Sequence, residues 1–253
     1  MTQQKGQSHG PRTILRLSGT DTTDFLQGLV TNDVARLGDG LVYAAMLTPQ
    51  GKYIADFFLQ ADGADVLLDV DSALAQGLMQ RLNMYKLRAD VAITQTDLHL
   101  HRGTDTPPQN AHRDPRHPDL GWRALRDSAQ TDDNTDWDAL YVNHMIPQAG
   151  VELTPDSYIL EMGFERLKGV DFRKGCYVGQ EVTARMKHKT ELRKGLAQVA
   201  LTGTAAPGSE IMAEGKPAGT LHTVAGDRAL AYLRFDRATA EMTAGDATLT
   251  RTA

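Results

Sequence analysis

Leu41–Leu59 reads LVYAAMLTPQGKYIADFFL. Two apolar runs, Leu41–Leu47 and Tyr53–Leu59, flank Thr48-Pro49-Gln50-Gly51. Proline presets φ at the second position of a turn and glycine suits the fourth, so the stretch predicts an antiparallel hairpin closed by a type I turn. Upstream, Thr13–Leu17 (TILRL) reads as a short strand. Phe25, Leu26, Leu29 and Val30 then recur at helical spacing behind Ser18, Thr20 and Asp21, with Asp21 three residues after Ser18 as in a capping box. Downstream, Asp65–Val70 predicts a strand, Asp71 or Ser72 caps a helix carrying Leu74, Leu78 and Leu82, and Val91–Thr94 resumes a strand. This order predicts an α+β layer rather than a doubly wound parallel sheet.

The pattern breaks at Pro107–Pro118, which carries four prolines and reads as a loop; Asp132–Asp138 is a second polar, acidic stretch. From Leu196 onward the style changes. LAQVAL, EIMA, PAGTLHTV and ALAYLRF alternate with glycine-containing turns, the signature of a small barrel or sandwich. A boundary is expected near Lys189–Gly195.

Composition narrows the classes. The 253 residues include 27 basic and 32 acidic side chains, so the chain as a whole is not a basic nucleic-acid binder, although a local patch stays open. One cysteine excludes an internal disulfide and a Cys-only metal site within one chain. No run approaches the roughly 20 apolar residues of a membrane helix. The start, MTQQKGQSHGPR, is polar where a signal peptide needs an apolar stretch, so the expected setting is cytoplasmic, with residues 1–11 disordered.

Chemistry concentrates in Lys168–Arg185, KGVDFRKGCYVGQEVTAR. Cys176 stands between two glycines, behind Arg173 and Lys174 and ahead of Gln180 and Glu181. Gly175 and Gly179 suit a bent loop, with a helix starting near Gly179. Neighbouring cations and a helix N-terminus favour the thiolate. The alternative is a small buried hydrophobe, the common fate of free cysteine, and no local histidine completes a nucleophile pair. Glu165–Lys194 holds nine basic and four acidic residues in a chain of net charge −5. Such a segment suits phosphates, a polyglutamate tail or RNA, or else is a solvated face.

Lys174-Gly-Cys-Tyr-Val-Gly-Gln-Glu181 resembles the signature of the YgfZ family, folate-binding relatives of the glycine-cleavage T-protein that include factors assisting iron–sulfur cluster assembly. Phe25–Asp33 (FLQGLVTND), Met46–Lys52 with Asp56, Ile146-Pro147, Glu161, Gly163, Pro207-Gly208 and Ala229–Leu233 resemble further family blocks in order. The resemblance runs from about Arg12 to the C-terminus. It implies an α+β folate-binding region over 12–190 with a ferredoxin-like layer, and a C-terminal β-barrel over 191–253, arranged around a central cavity.

The resemblance further implies a tetrahydrofolate or related folate held non-covalently. Glu161 would accept paired bonds from the pterin edge, an arrangement strengthened by charge. Asp56 would line the cavity or face outward on a strand, and Asn32 or Asp33 would lie near the folate or simply end a helix. Tyr177 would stack on a ring or pack in the core, and Gln180 and Arg185 would complete the site, Arg185 otherwise pairing with Glu181 on one helix face. Cys176 would be the functional thiol. The T-protein has a carboxylate pair after its glycine turn, whereas Gly51-Lys-Tyr-Ile-Ala55-Asp56 has Ala55 at one of the two positions, so a conventional enzyme is not expected. The implied function is a folate-binding accessory factor for iron–sulfur assembly or repair, with the assembly machinery or client cluster proteins as partners. The alternatives are a one-carbon (aminomethyl) transferase and a tRNA-modification-associated protein contacting tRNA through residues 166–194.

Overall fold

The computed structural model describes residues 11–131, 133–188, 191–238 and 241–252. Of the expected disordered N-terminus, only Pro11 lies within the described residues, and the expected boundary at Lys189–Gly195 falls partly outside them. The chain divides into two compact units. One is built from the residues up to Thr135 together with Glu165–Val182, the other from Asp136–Phe164 and the residues from Thr183 onward.

The first unit centres on a five-stranded antiparallel sheet of β1 (Arg12–Ser18), β2 (Val42–Leu47), β3 (Tyr53–Asp62), β4 (Asp65–Asp71) and β5 (Ala92–Gln95), in the order β2-β3-β4-β1-β5. The expected hairpin forms: Thr48 and Lys52 pair at its base and Gly51 donates to the Thr48 carbonyl at 2.8 Å. Leu68 sits opposite Leu15 on one side and Leu59 on the other. Alternation splits the sheet into two faces. One carries Leu15, Leu17, Val42, Ala44, Met46, Ala55, Phe57, Leu59, Val66, Leu68 and Val70, and α2 (Ser72–Tyr85) packs here through Ala75, Leu78 and Leu82. Asp71 caps that helix by accepting from the Ala73 amide at 2.9 Å. The shorter α1 (Thr22–Gln27) has no side-chain cap, because the Asp21 carboxylate accepts from the Asp90 amide instead, at 2.7 Å.

The opposite sheet face is polar and still buried. It presents Arg12, Tyr43, Asp56, Phe58 and Asp69, and β2 is buried along its whole length. A second sheet of β6 (His99–Gly103), β7 (His112–Arg113) and β8 (Trp122–Arg126), ordered β6-β8-β7, supplies partners. The proline-rich segment read as a loop therefore contributes a short strand. Asp69 accepts from Arg12 Nε at 2.6 Å and from Arg123 at 2.5 Å, while Asp114 takes a two-pronged contact from Arg116 at 3.0 and 2.8 Å. Both guanidinium groups stack on Phe58, Arg123 at 3.8 Å and Arg116 at 4.8 Å from the ring centre. Buried charges survive only when paired in this way.

The second unit is a closed six-stranded barrel. Its strands are β9 (Lys194–Thr202), β10 (Glu210–Ala213), β11 (Lys216–Ala225), β12 (Arg228–Arg234), β13 (Met242–Ala244) and β14 (Ala247–Arg251), in the order β10-β11-β12-β9-β14-β13. Alanine, valine and leucine fill its interior, among them Ala197, Val199, Leu221, Ala229, Leu233 and Leu249. Small residues match the narrow bore of so few strands. Against β11 and β12 lies α3 (Trp137–His144), capped by Asp136 and tied down where Gln198 donates to the Val142 carbonyl at 2.9 Å. Buried Glu152 binds the Thr223 hydroxyl at 2.6 Å and the Gln148 amide at 2.9 Å, fixing the turn after α3 to the barrel wall. No helix of the described residues is long and apolar enough to cross a membrane.

The Asp69 network gives a signed pH dependence. Burial pushes the Asp69 carboxyl up, but Arg12 and then Arg123 more than offset it and hold it below the usual carboxylate range. A depressed folded pKa contributes stability above the unfolded value, near 4, and that contribution is lost as pH falls below it. Asp69→Asn is expected to cost about 3–5 kcal/mol at neutral pH. In urea titrations the gap to the parent chain should shrink below about pH 4; a gap independent of pH would contradict this assignment.

Candidate functional site

The segment from Lys168 to Gly179 is tied at many points to the rest of the first unit. Thr31 donates its hydroxyl to the Gly169 carbonyl at 2.7 Å, and the Asp171 amide donates to the Thr31 carbonyl at 3.0 Å. The Asn32 side-chain amide donates to the carbonyls of Tyr43 (2.8 Å) and Lys168 (2.7 Å), while its oxygen accepts from the Asp33 amide at 2.9 Å. Lys174 is buried, and its ammonium donates to the carbonyls of Gln27 at 2.7 Å and Val30 at 2.5 Å, where the chain leaves α1. Cations belong at carbonyl-rich helix exits.

The far end of the segment is set by close packing. Gly179 has φ +84°, and a Cβ there would lie 2.6 Å from the Thr48 carbonyl oxygen and 3.0 Å from the Leu47 Cβ. Across the contact, Gly51 has φ +75°, and a Cβ there would meet the Val182 side chain at 2.8 Å. The turn of the β2–β3 hairpin and the cysteine segment therefore approach each other through two glycines. The helix expected after Gly179 is α4 (Gln180–His188).

Between these anchors Cys176 is exposed to solvent. Tyr177 is buried, with its ring 5.2 Å from the Lys174 ammonium, so it packs under the loop. Gln180 is half-buried and its amide closes onto the Tyr177 carbonyl; Arg185 is exposed. The segment thus presents a single thiol on a backbone with little freedom. Lys174, counted in the sequence as part of a basic run, is removed from any charged surface. Arg173, by contrast, is exposed.

Two residues expected at a folate are committed elsewhere. Asp56 accepts from the hydroxyls of Tyr53 at 2.6 Å and Tyr43 at 3.0 Å and is buried, so it is neither on an outward strand face nor open to a ligand. Burial first, and the Asp56 charge second, raise both tyrosine hydroxyls well above their ordinary range. Asn32 has its amide spent on backbone groups. Ala55, where a second carboxylate would stand, is fully buried in the apolar core. This region of β3 does not fit a folate-activating carboxylate.

In the second unit, half-buried Glu161 accepts from the Tyr232 hydroxyl at 2.6 Å through Oε2. Its Oε1 has no hydrogen bond among the described residues. A carboxylate fixed at one oxygen with acceptor capacity left over fits the donor edge of a pterin. Burial, and then the bond to Glu161, raise the Tyr232 hydroxyl above its usual range and keep it a donor. The sequence gives no sign of this partner, which lies 71 residues away on the barrel.

Comparison with known proteins places this arrangement. A model of the CAF17 C-terminal β-barrel domain matches residues 193–253. A Mycosarcoma maydis protein named iron–sulfur cluster assembly factor IBA57 homolog, mitochondrial, is 34% identical over 233 residues, spanning 78% of this chain but only 58% of the relative. The mouse iron–sulfur cluster assembly factor IBA57, mitochondrial, is 31% identical over 272 residues, covering 89% of this chain and 76% of its own. The chain belongs to the IBA57/CAF17 family. The resemblance to YgfZ holds at the level of the superfamily they share. The crystal structure of the glycine cleavage system aminomethyltransferase T from Bartonella henselae aligns with a TM-score of 0.75, at 12% identity, over 97% of this chain and 86% of that one. The IBA57/CAF17 chain therefore has the aminomethyltransferase fold, α+β with a terminal barrel, as its sequence predicts. The cytoplasmic setting expected from the polar start is overturned, because the IBA57 relatives are named as mitochondrial proteins.

Two measurements test the anchoring of the thiol loop. Gly179→Ala forces a side chain into a left-handed backbone against a carbonyl and is expected to cost about 1–3 kcal/mol in chemical unfolding. Burial lowers the Lys174 ammonium to about 8, against the pull of Asp33 and Asp171. Between there and the ordinary lysine value of about 10.4, the unfolded chain holds more protons than the folded one, so the contribution of Lys174 to stability rises with pH. The stability difference between the parent chain and Lys174→Met should grow in favour of the parent across that window. A flat difference would show that the ammonium is solvated.

Proposed function

We propose that the chain is an accessory factor in iron–sulfur cluster assembly or repair, with Cys176 as its working thiol. The observation that carries this reading is the exposed sulfur on a loop fixed by Lys174 at one end and Gly179 at the other. The names of the IBA57 relatives support the process. A cluster needs several ligands, and one cysteine per chain means that the cluster is cargo shared with a partner of the assembly machinery or a client protein. A fixed loop suits a shared ligand, because the ordering entropy is already spent before the partner arrives.

The same reading assigns a folate to the second unit, with Glu161 holding the pterin edge and Tyr232 orienting Glu161. Folate serves here as a bound ligand. Transferase chemistry lacks support, since Ala55 lies in the core and Asp56 is held by two tyrosines. When incubated with 5,10-methylenetetrahydrofolate and small amines, the protein is expected to leave the folate unchanged.

Two substitutions test the proposal. Cys176→Ser should lower the activity of cluster-dependent client enzymes in cells that lack the parent protein, while the unfolding midpoint stays within error of the parent; full complementation by the serine variant would rule out a working thiol. Glu161→Gln should weaken tetrahydrofolate binding by roughly 10- to 100-fold in calorimetry, the size expected for a hydrogen bond to a charged group. Unchanged affinity would remove Glu161 from the folate site and leave the thiol assignment standing.

A further inference from the structure

Gly103 ends β6 opposite Trp122, which opens β8, and the strands meet there without room to spare. A Cβ at Gly103 would lie 2.6 Å from Asp105 Oδ1 and 2.7 Å from the Trp122 ring, and one at Gly121, where φ is +64°, would overlap the Gly103 carbonyl. Glycine at both positions lets the Trp122 indole N–H reach Asp105 Oδ1, at 3.0 Å. β6 is also an edge of its sheet, and the chain returning after β8 is fastened along it. The Arg102 amide donates to Gln130 Oε1 at 3.0 Å and Gln130 Nε2 donates to the Arg102 carbonyl at 2.8 Å, so one side chain takes the place of a neighbouring strand. His101 Nε2 meets the Ser128 carbonyl at 2.6 Å; a carbonyl only accepts, so this nitrogen carries the proton.

Between that edge and the returning segment lies a cavity of about 660 Å³, lined by residues of the first unit and by none of the cysteine segment. The volume falls in the range of small-molecule sites. Its lining is polar, and Trp122 is the one large apolar side chain among the described residues that form it. The charged groups in the lining are His101, Arg102, Asp105 and Asp133. Arg102 Nε stands 3.5 Å from Asp133, so that pair largely cancels. Asp105 is left as the carboxylate without a cation. Its Oδ1 takes the indole proton, and its Oδ2 has no hydrogen bond among the described residues. The exposed Asn134 amide makes none there either.

We propose that this cavity binds a ligand carrying adjacent hydroxyl groups, either a free sugar or the ribose of a nucleoside. An ionised carboxylate is an acceptor at both oxygens, so Asp105 can take the two hydrogens of a vicinal diol. Dinucleotide sites place an acidic side chain on ribose for the same reason. The indole N–H holds the Asp105 carboxylate in one setting before any ligand arrives, which lowers the ordering cost of binding. Arg102 and Asn134 supply donors for the hydroxyl oxygens. The polar wall disfavours an apolar ligand, and the near balance of charge gives no field that would select a highly charged one. The assignment rests neither on the thiol nor on the folate.

The test follows the Trp122 indole N–H signal in NMR titrations of the full chain, which has two tryptophans. Adenosine and methyl ribofuranoside are each titrated beside the 2-deoxy counterpart, which lacks the vicinal diol, with spermidine as a cation without hydroxyls. The ribosides should move the Trp122 signal and the amides of Arg102–Asp105, and the deoxy compounds should bind on the order of tenfold more weakly. Adenosine binding more tightly than the furanoside would support a nucleoside as the source; equal affinity would support a free sugar. Asp105→Asn keeps an acceptor for the indole and should weaken the ribosides by roughly tenfold without moving the unfolding midpoint. Asn134→Ala, at an exposed position, should weaken them several-fold with the fold intact. Equal affinity for the deoxy compounds, no shift at Trp122 with either riboside, or unchanged affinity in both variants would overturn the proposal. So would a Trp122 shift produced by spermidine alone, which would assign the cavity to an amine.

Discussion

A lysine ammonium buried on two backbone carbonyls organises the chemistry of this chain. Lys174 sits two residues before the single cysteine and donates to the carbonyls of Gln27 and Val30, where α1 gives way to the segment leading into β2. A buried charge left unpaired would cost far more than the loop could supply, so the loop stays where those carbonyls are. Tyr177 fills the space beneath the ammonium, and Cys176 is left outside. The same contact that hides one reactive group therefore presents the other.

The second fixed point is covalently remote and physically simple. Gly179 and Gly51, both with positive φ, let the cysteine segment touch the β2–β3 turn at backbone distance. That turn closes β2 and β3, which are apolar on one face and on the other carry Tyr43 and Phe58 under the guanidinium groups of Arg116 and Arg123. The stability of the sheet thus reaches the thiol through a short path: sheet, hairpin turn, glycine contact, loop. Glu161 has a comparable support in the other unit, where a barrel tyrosine fixes one carboxylate oxygen and leaves its partner available.

Where hydrophobic alternation governs, the sequence is readable. The Thr48–Gly51 hairpin, the α2 stripe and the barrel strands follow from spacing and turn chemistry alone. The strands β6, β7 and β8 do not, because their buried positions include Arg123, whose partner Asp69 lies 54 residues away. A charged residue that faces inward breaks the periodicity on which strand assignment rests. The expected capping box at Ser18–Asp21 fails because the exposed Asp21 carboxylate bonds an amide 69 residues away. In the candidate site the cysteine octapeptide is legible as chemistry, but the division of labour within it is not. Asp56 and Asn32, each open in the sequence between a cavity role and a structural one, spend polar atoms on tyrosine hydroxyls and on backbone groups, and Lys174, counted in a basic run, is an anchor. Those roles depend on which backbone groups the fold brings near, which spacing along one chain does not encode.

Cys176 is open to solvent on a loop that does not itself open, and one experiment measures both halves. The folded chain is treated with a thiol reagent while hydrogen exchange is followed at the amides of Asp171–Gln180. Cys176 is expected to react within a few-fold of its rate in the denatured chain, while the Asp171 amide, bonded to the Thr31 carbonyl, exchanges only through larger openings. Modification that waits for global unfolding, or loop amides that exchange as freely as a frayed end, would contradict it.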